Sequence, residues 1–267
     1  IIDVGSLIPN VPSNVILSVY SNVEKSLEVS AQLIGQHFGT SQNLSALKPL
    51  VLYPGHNTIT LPYTLTDIGK HHLVVNIQGD AKLRLSIDIN IPAINATNYG
   101  SRIKIQDNDI TPWVADSGWK VSQKRPIPSK ETTNLYVSGA GGESESVQLV
   151  LNPVRNIKKL TVSNTDFINN NGNKLYAEAV EIFSVGYINI DIPSDHSGSN
   201  DLWPDPLFPM NSPIELLSGI NYPLWLRVNI PTKTPAGIYR GSIIVQTENT
   251  SIDIPINIEV YPFSLPK

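Results

Sequence analysis

The side chains best suited to chemistry are concentrated in residues 201–207, Asp-Leu-Trp-Pro-Asp-Pro-Leu. The flat indole of Trp203 is flanked by the carboxylates of Asp201 and Asp205, a combination that suits a platform for a sugar ring and its hydroxyl groups. The two prolines of this stretch fix φ and lack a backbone N–H, which argues against a helix or a central strand. The pattern predicts a shaped loop within an irregular segment from residue 193 to residue 213.

The same stretch also fits an internal brace, with Trp203 buried against a β-sandwich and the acids satisfied by backbone N–H groups. Burying a tryptophan removes ~200 Å² from water, which stabilises by about 5 kcal/mol at ~25 cal/mol per Å². That gain offsets part of the backbone entropy lost when a long loop is ordered. We favour the brace over the sugar platform, and a mostly exposed Trp203 beside a groove would contradict it.

No cofactor or metal site is expected from the sequence, with calcium as the alternative to be weighed. Calcium takes six to eight oxygen ligands, and an acidic loop could supply some of them from Asp191, Asp195, His196, Asp201 and Asp205. The spacing differs from that of an EF-hand, so a solvated loop with Asx turns is the simpler interpretation. A zinc site is not expected, because the chain has no cysteine and adjacent His71 and His72 point to opposite faces of a strand.

Two glutamates precede a strongly apolar run. Glu143 and Glu145 share the alternating face of residues 147–151, so one of them is expected to turn inward. A buried carboxylate needs a cation or several N–H donors, and Arg240 and Arg227 are the candidate cations. We expect a structural role here rather than a catalytic one.

A second structural feature is expected at residues 235–239, Pro-Ala-Gly-Ile-Tyr, which read as a turn into a strand. Gly237 is expected to supply a positive φ or a close backbone approach. Tyr239 is expected to form a hydrogen bond across the turn, as the corner tyrosine of sandwich domains does.

Trp113 and Trp119 lie in a polar segment with several lysines and an arginine. Tryptophans in such a segment suit either a domain interface or a ligand groove. We favour an interface, between two sandwiches or with a further domain.

Composition excludes several classes of function. The 267 residues carry a formal net charge of −4, whereas nucleic-acid binding favours a basic face. No apolar run approaches the ~18 residues of a membrane span. The chain begins at Ile1, from which we expect a processed or trimmed product.

Period-two alternation dominates the chain and predicts an all-β protein of two consecutive β-sandwiches. In residues 83–91 the odd positions are apolar and the even positions are polar, and residues 252–260 alternate in the same way. Five to seven short strands are expected in residues 1–95, the number typical of an immunoglobulin-like sandwich. The small, polar stretch 93–100 marks the boundary, and residues 96–267 are expected to form a larger sandwich with a long Pro-rich loop.

Several short motifs resemble those of one enzyme family. They occur in the same order along residues 113–267, namely Gly142-Glu143 before Val147–Leu151, Val185-Gly186-Tyr187, Pro193-Ser194-Asp195, Asp201–Leu207, Pro223–Leu226, Pro235–Gly241 and Val260–Pro266. This order resembles the N-terminal, non-catalytic β-sandwich region of glycoside hydrolase family 123 and its relatives.

The resemblance implies a role without chemistry of its own. In that family the sandwich precedes a TIM barrel, which cleaves N-acetylgalactosaminides by a substrate-assisted mechanism with an Asp–Glu pair. The barrel would begin near Lys267, so no catalytic residue is expected in this chain. The implied partner is the catalytic barrel of the same polypeptide, and the implied location is secreted, periplasmic or on the cell surface.

A free-standing carbohydrate-binding or adhesive module is the alternative function. Surface features distinguish the two hypotheses. An accessory sandwich is expected to expose an apolar patch near its C-terminus, where the barrel docks. A free-standing binder is expected to show an aromatic-lined groove away from both termini.

Overall fold

The computed structural model describes residues 2–5, 7–9, 11–35, 41–45, 50–65, 68–80, 82–105, 109–194 and 198–266. The described chain is nearly all β, as predicted, with 3-10 helices at Ala93–Asn95 and Ala177–Ala179. It divides into two compact units, residues 1–98 with 191–200, and residues 99–190 with 201–267. Within the described ranges, no helix has the length and apolar character needed to cross a bilayer.

The strands of the first unit are β1 Ile2–Asp3, β2 Pro12–Ser21, β3 Lys25–Gly35, β4 Ser41–Ser45, β5 Leu50–Leu52, β6 Gly55–Thr64, β7 Gly69–Gly79 and β8 Leu83–Ile91. One sheet has the order β1-β2-β6, and the other has β4-β3-β7-β8 with β5 also paired to β3. The core alternates along both sheets, with Leu17 and Leu61 from one and Val29 and Val75 from the other. The unit is therefore a β-sandwich, and its expected immunoglobulin-like topology stays a prediction.

The strands of the second unit are β9 Ser101–Ile103, β10 Ile110–Asp116, β11 Glu131–Thr132, β12 Leu135–Gly141, β13 Ser144–Pro153, β14 Ile157–Asn164, β15 Phe167–Ile168, β16 Lys174–Leu175, β17 Val180–Ile190, β18 Asp201–Pro209, β19 Ile214–Leu216, β20 Tyr222–Asn229, β21 Gly237–Gln246 and β22 Ser251–Ser264. One sheet has the order β11-β9-β10-β13-β20-β17-β18, and the other has β12-β22-β21-β14-β19 with β15 and β16 attached.

The core of the second unit follows from alternation along its long strands. Leu149 and Leu226 come from the first sheet, and Ile243 and Ile256 come from the second. Pro255 lies within β22, opposite Ser242 of β21, while pairing with β12 on the other side begins only at Ile256. The missing N–H of this proline therefore faces no ladder partner, which explains how it fits a strand.

The prediction of a shaped loop at residues 201–207 was wrong. Residues 201–209 form β18, which pairs antiparallel with β17 at the edge of its sheet. An edge strand has one unpaired side, so it tolerates prolines that a central strand would not. A register shift between Val185 and Tyr187 adds one residue on β18, and this bulge accommodates the Pro-Asp-Pro sequence.

Gly186, at that register shift, is the reason the two strands can approach. A Cβ on Gly186 would lie 2.5 Å from Cε2 of Phe208 and 2.9 Å from Cγ of Pro206. Both distances are shorter than side chains tolerate, so the proline-rich strand needs a glycine opposite it.

Candidate functional site

Trp203 and Asp201 are two residues apart and share one face of β18, whereas Asp205 lies at the bulge and faces Lys120. Trp203 lies opposite Ile188 of β17 and is half-buried. Directly opposed residues of an antiparallel pair share a face, and successive residues alternate, so Trp203 faces away from Tyr187. The hydroxyl of Tyr187 donates to the carbonyl of Val121 at 2.8 Å, which places segment 117–125 on the face that Trp203 does not use.

The two predicted acids face lysines. Nζ of Lys124 lies 3.5 Å from Oδ1 of Asp201, and Nζ of Lys120 lies 3.9 Å from Oδ1 of Asp205. Lys120 also donates to the carbonyl of Pro204 at 3.2 Å. Because Trp203 is neither fully buried nor mostly exposed, the brace and the platform both stay predictions for this residue.

Segment 117–125 covers the outer face of the sheet that contains β13, β17 and β20, and Arg125 of this segment is buried against that sheet. The guanidinium carbon of Arg125 lies 4.2 Å from the ring centroid of Tyr99 and 4.6 Å from that of Trp113. Arg125 is 3% exposed and Trp113 is 0% exposed. Trp119 stacks on Tyr99 with ring centroids 4.3 Å apart. The expected interface role does not fit Trp113, which is enclosed within the second unit.

Asn221 links this covering segment to the sheet. Its Oδ1 accepts from Nε1 of Trp113 at 3.2 Å and from Nδ2 of Asn152 at 3.0 Å. Its Nδ2 donates to the carbonyls of Ser122 at 3.1 Å and Arg125 at 2.7 Å. Asn221 is 0% exposed, so all of these bonds are shielded from water and its four polar positions are all used.

Burial sets the protonation of the aromatic groups in this cluster. Desolvation raises the pKa of Tyr99 to about 12, although the charge of Arg125 acts in the opposite direction. Desolvation also raises the pKa of Tyr187, and the nearby Tyr99 adds to it. The pKa of Arg125 is lowered by its burial. The tyrosines are therefore neutral at physiological pH and act as hydrogen-bond donors and ring surfaces rather than as bases.

A groove opens beside this cluster, on the same outer face of the sheet. It has a volume of about 160 Å³, and its lining includes Trp119, Lys120, Gln148, Asp205, Leu207 and Trp225. We call it the Trp119–Trp225 groove. Gln148 of β13 lies directly opposite Trp225 of β20, so both project from the sheet to the floor of the groove. The groove therefore combines indole rings, a buried amide and one pair of opposite charges.

The side-chain oxygen of Gln148 is a hydrogen-bond acceptor without a donor among the described residues. Its Nε2 donates to the carbonyls of Asp116 at 3.0 Å and Trp119 at 2.8 Å, which uses both amide protons and fixes the orientation of the amide. Within the described part of the chain, no group donates to Oε1 of this side chain, which is 2% exposed. Oε1 is therefore available to accept a hydrogen bond from a group in the groove.

The expected pairing of the glutamates with arginines was wrong. Oε2 of Glu143 accepts from the backbone N–H of Ala140 at 2.7 Å, so a backbone donor takes the place of a cation. Arg227 instead donates to Glu181 at 2.7 Å, and Arg240 donates to Asn170 at 2.7 Å. The tight turn between β12 and β13 places the Glu143 carboxylate beside the backbone N–H of Ala140, three residues earlier in the chain.

The turn at residues 235–239 has two specific features. Gly237 has φ +142°, a conformation that side chains rarely adopt, and a Cβ there would lie 3.3 Å from Nδ2 of Asn169. The hydroxyl of Tyr239 donates to the carbonyl of Pro235 at 2.7 Å. Burial raises the pKa of this tyrosine, so its hydroxyl is protonated at physiological pH and can donate.

The calcium alternative gains no geometric support. Among the described residues, no group of three or more His, Cys, Asp or Glu side chains is placed to hold a metal ion. Asp195 and His196, two of the five proposed ligands, lie outside the described residues. The calcium site stays a prediction.

The exposed face of the second sheet carries aromatic side chains near the C-terminus. Tyr261 and Phe263 stack with ring centroids 5.9 Å apart, and Phe263 is 58% exposed. Tyr136 and Ile238 are also exposed, and each contacts Glu259, the first through its hydroxyl and the second through strand pairing. We call Tyr136, Ile238, Tyr261 and Phe263 the C-terminal aromatic patch.

Sequence reasoning missed Gln148, Asn221, Arg125 and the role of Trp225. One signal was present, because residues 147–151 read Val-Gln-Leu-Val-Leu, and a strand that is apolar on both faces is covered on both faces. A glutamine within such a run therefore indicates a buried amide with specific partners.

The comparisons with known proteins agree with this architecture. Residues 115–247 match the family model described as the glycoside hydrolase 123 N-terminal domain. A family 123 glycoside hydrolase from Clostridium perfringens, studied for glycolipid glycan hydrolysis, has a similar structure with a TM-score of 0.51 and 20% sequence identity. That similarity covers 60% of this chain and 28% of the enzyme, so the chain spans less than a third of that relative.

Two further solved structures align over most of the chain at low similarity. A Salmonella alpha-2-macroglobulin has a TM-score of 0.30 and 11% identity, covering 98% of this chain and 16% of that protein. An endo-fucoidan hydrolase from glycoside hydrolase family 107 has a TM-score of 0.28 and 12% identity, covering 95% of this chain and 26% of that protein. No curated protein matches the sequence. Residues 115–247 are therefore identified as a glycoside hydrolase 123 N-terminal domain.

Proposed function

We propose that this chain is a non-catalytic accessory region of a multidomain glycoside hydrolase, and that it supports or positions a catalytic barrel of the same polypeptide. The observation that carries the proposal is the match of residues 115–247 to the glycoside hydrolase 123 N-terminal domain. The fold similarity to a family 123 glycoside hydrolase supports it. The proposed substrates of the parent protein are N-acetylgalactosaminides, and its proposed location is secreted, periplasmic or on the cell surface.

The C-terminal aromatic patch supports a docking role. Exposed aromatic side chains that cluster near one another commonly mark a site of interaction with another protein surface. Here they lie on β12, β21 and β22, and β22 is the last strand before the end of the second unit. We propose that a domain which follows in the parent polypeptide packs on this patch.

The coding sequence downstream of Lys267 provides the first test. The proposal expects alternating β and α segments of a barrel there. A stop codon immediately after Lys267 would remove the accessory role and leave the free-standing module as the better interpretation.

Replacement of a patch residue in the parent polypeptide provides the second test. Phe263→Ser is expected to lower the melting temperature of the parent more than that of the isolated 267-residue chain, because it removes an interdomain contact. Tyr176→Ser is a matched control, since Tyr176 is an exposed aromatic residue of the same unit that is not in the patch. Equal effects of Phe263→Ser in both proteins would argue against docking on the patch.

The alternative is a free-standing carbohydrate-binding or adhesive module. The Trp119–Trp225 groove favours it, since an aromatic-lined groove is what such a module requires. Measured binding to glycans by a chain whose gene ends at Lys267 would support this alternative over the accessory role.

A further inference from the structure

The Trp119–Trp225 groove has the chemistry of a site for a single sugar ring. Its apolar surface comes from the indoles of Trp119 and Trp225 and from Leu207, and its polar groups are Gln148, Lys120 and Asp205. A few polar groups set among aromatic surface is the usual composition of a small-molecule site. The volume of about 160 Å³ lies below the ~300–1,000 Å³ of pockets for drug-sized ligands, so the groove suits one ring rather than several.

Oε1 of Gln148 indicates that a ligand of the groove would donate a hydrogen bond. The two Nε2 bonds to the carbonyls of Asp116 and Trp119 fix this oxygen, and the side chain is 2% exposed. No described residue donates to this oxygen, so it can accept a hydrogen bond from a ligand. A ligand hydroxyl or amide N–H in the groove would supply the missing donor.

The surrounding groups are already positioned. One face of Trp119 is occupied by Tyr99, whose ring is nearly parallel to it at 3°. Trp225 lies on the central of three paired strands, with Gln148 of β13 opposite it on one side and Phe183 of β17 on the other. Such preorganisation reduces the entropy that a small ligand must overcome on binding.

The charge of the groove indicates a neutral ligand. Lys120 and Asp205 face each other with 3.9 Å between Nζ and Oδ1, so their charges offset one another. Both are exposed side chains at the rim, where each can contact hydroxyl groups, Lys120 as donor and Asp205 as acceptor.

We propose that the Trp119–Trp225 groove binds one neutral pyranose ring of a glycan. Trp225 supplies an apolar platform for the carbon face of the ring, and Oε1 of Gln148 accepts from a ring hydroxyl or an acetamido N–H. This site differs from the sugar platform predicted at residues 201–205, because Trp203 lies on the other face of the sheet from the groove. It is also independent of the proposed docking role, because binding is measurable with the isolated chain.

Titration of the isotope-labelled 267-residue chain with methyl galactoside, N-acetylgalactosamine and methyl glucoside tests this site. The four tryptophans give indole N–H signals that single substitutions assign. With one ring and few hydrogen bonds, we expect a dissociation constant on the order of millimolar. The signals of Trp119 and Trp225 are expected to shift saturably with at least one sugar, and that of Trp203 to stay unchanged.

Variants separate the groove from the rest of the surface. Trp225→Ala is expected to weaken binding about tenfold or more, through loss of the stacked surface. Leu207→Glu places a charge at the rim through a side chain that is already exposed, and it is expected to weaken binding without disturbing the fold. Trp203→Ala is the matched control and is expected to keep the wild-type affinity.

Three results would overturn the proposal. The first is the absence of a saturable shift with all three sugars up to about 50 mM, well above the millimolar range expected. The second is unchanged affinity in folded Trp225→Ala and Leu207→Glu. The third is loss of binding in Trp203→Ala alone, which would move the site to the opposite face of the sheet.

Discussion

The guanidinium of Arg125 lies 4.2 Å from the centroid of the Tyr99 ring, and its Nη2 donates to the backbone carbonyl of the same tyrosine. Its Nη1 donates to the carbonyl of Pro126 at 2.9 Å. This buried cation thus joins the start of the second unit to the segment that covers the outer face of the sheet containing β13 and β20. The Trp119–Trp225 groove depends on that segment, because Trp119 and Lys120 belong to it.

Arg125→Lys is expected to destabilise the second unit by about 2–4 kcal/mol, because an ammonium group cannot contact two rings and two carbonyls at once. All four tryptophans belong to this unit, so tryptophan fluorescence during urea unfolding reports on it. Arg240→Lys is the control, since exposed Arg240 has a hydrogen bond to Asn170 and is expected to change stability by ~0.5 kcal/mol or less. Similar losses in the two variants would contradict the special role of Arg125.

Asn221→Ala is expected to cost about 3 kcal/mol or more, because it leaves several buried polar groups without partners. The loss exceeds that of one hydrogen bond because Asn221 contacts Trp113, Asn152 and two backbone carbonyls. Exposed Asn211 provides the comparison, and Asn211→Ala is expected to be near neutral. Urea unfolding that yields a difference below ~1 kcal/mol would show that the Asn221 network is dispensable.

Gly186→Ala is expected to destabilise the β17–β18 pair by about 1–3 kcal/mol through overpacking against Phe208 and Pro206. Phe208→Ala in the same protein is expected to recover part of the loss, since its ring is the nearest obstacle and is exposed. A double-mutant cycle measured by thermal unfolding gives the coupling energy. Additive effects of the two substitutions would mean that Gly186 is needed for some other reason.

Tyr187 is expected to make stability fall at alkaline pH. Its folded pKa is raised above the value near 10 of an unfolded tyrosine. The corresponding stability is therefore fully present below pH ~10 and is lost as the pH rises further, because the unfolded chain releases its proton first. Tyr187→Phe is expected to be about 1 kcal/mol less stable than the wild type at neutral pH, because it lacks the hydrogen bond from the Tyr187 hydroxyl to Val121.

The same variant is expected to lose less stability than the wild type between pH ~9 and ~11. Urea unfolding at both pH values provides the measurement, and the difference between the two proteins removes the contributions of the tyrosines that do not interact with Tyr187. A steeper fall in Tyr187→Phe than in the wild type would contradict the raised pKa.

The all-β fold was predictable from period-two alternation, since a strand such as β22 has Ile254, Ile256 and Ile258 in the core and polar residues between them. The family was predictable because short motifs occur in a fixed order. The strand at residues 201–209 was not predictable from the sequence, because prolines generally argue against strands. Only the order of strands in the sheet shows that this strand lies at an edge, where prolines are tolerated.

The groove was not predictable for a similar reason. Gln148, Trp119 and Trp225 come from segments far apart in the sequence, and the register of β13 with β20 brings two of them side by side. The sequence predicted a site at Asp201, Trp203 and Asp205 because they are close in the chain, whereas the bulge in β18 places Asp205 beside Lys120, on the face opposite Trp203. Side-chain direction along a strand therefore decided which tryptophans can form a groove.

Hydrolysis of a chromogenic N-acetylgalactosaminide, measured in parallel for the 267-residue chain and for the parent polypeptide that extends beyond Lys267, tests the proposed accessory role most directly. We predict turnover by the parent and none above the uncatalysed rate for the chain alone, because the proposed catalytic groups belong to the barrel. Turnover by the isolated chain, abolished by a substitution within it, would contradict the account.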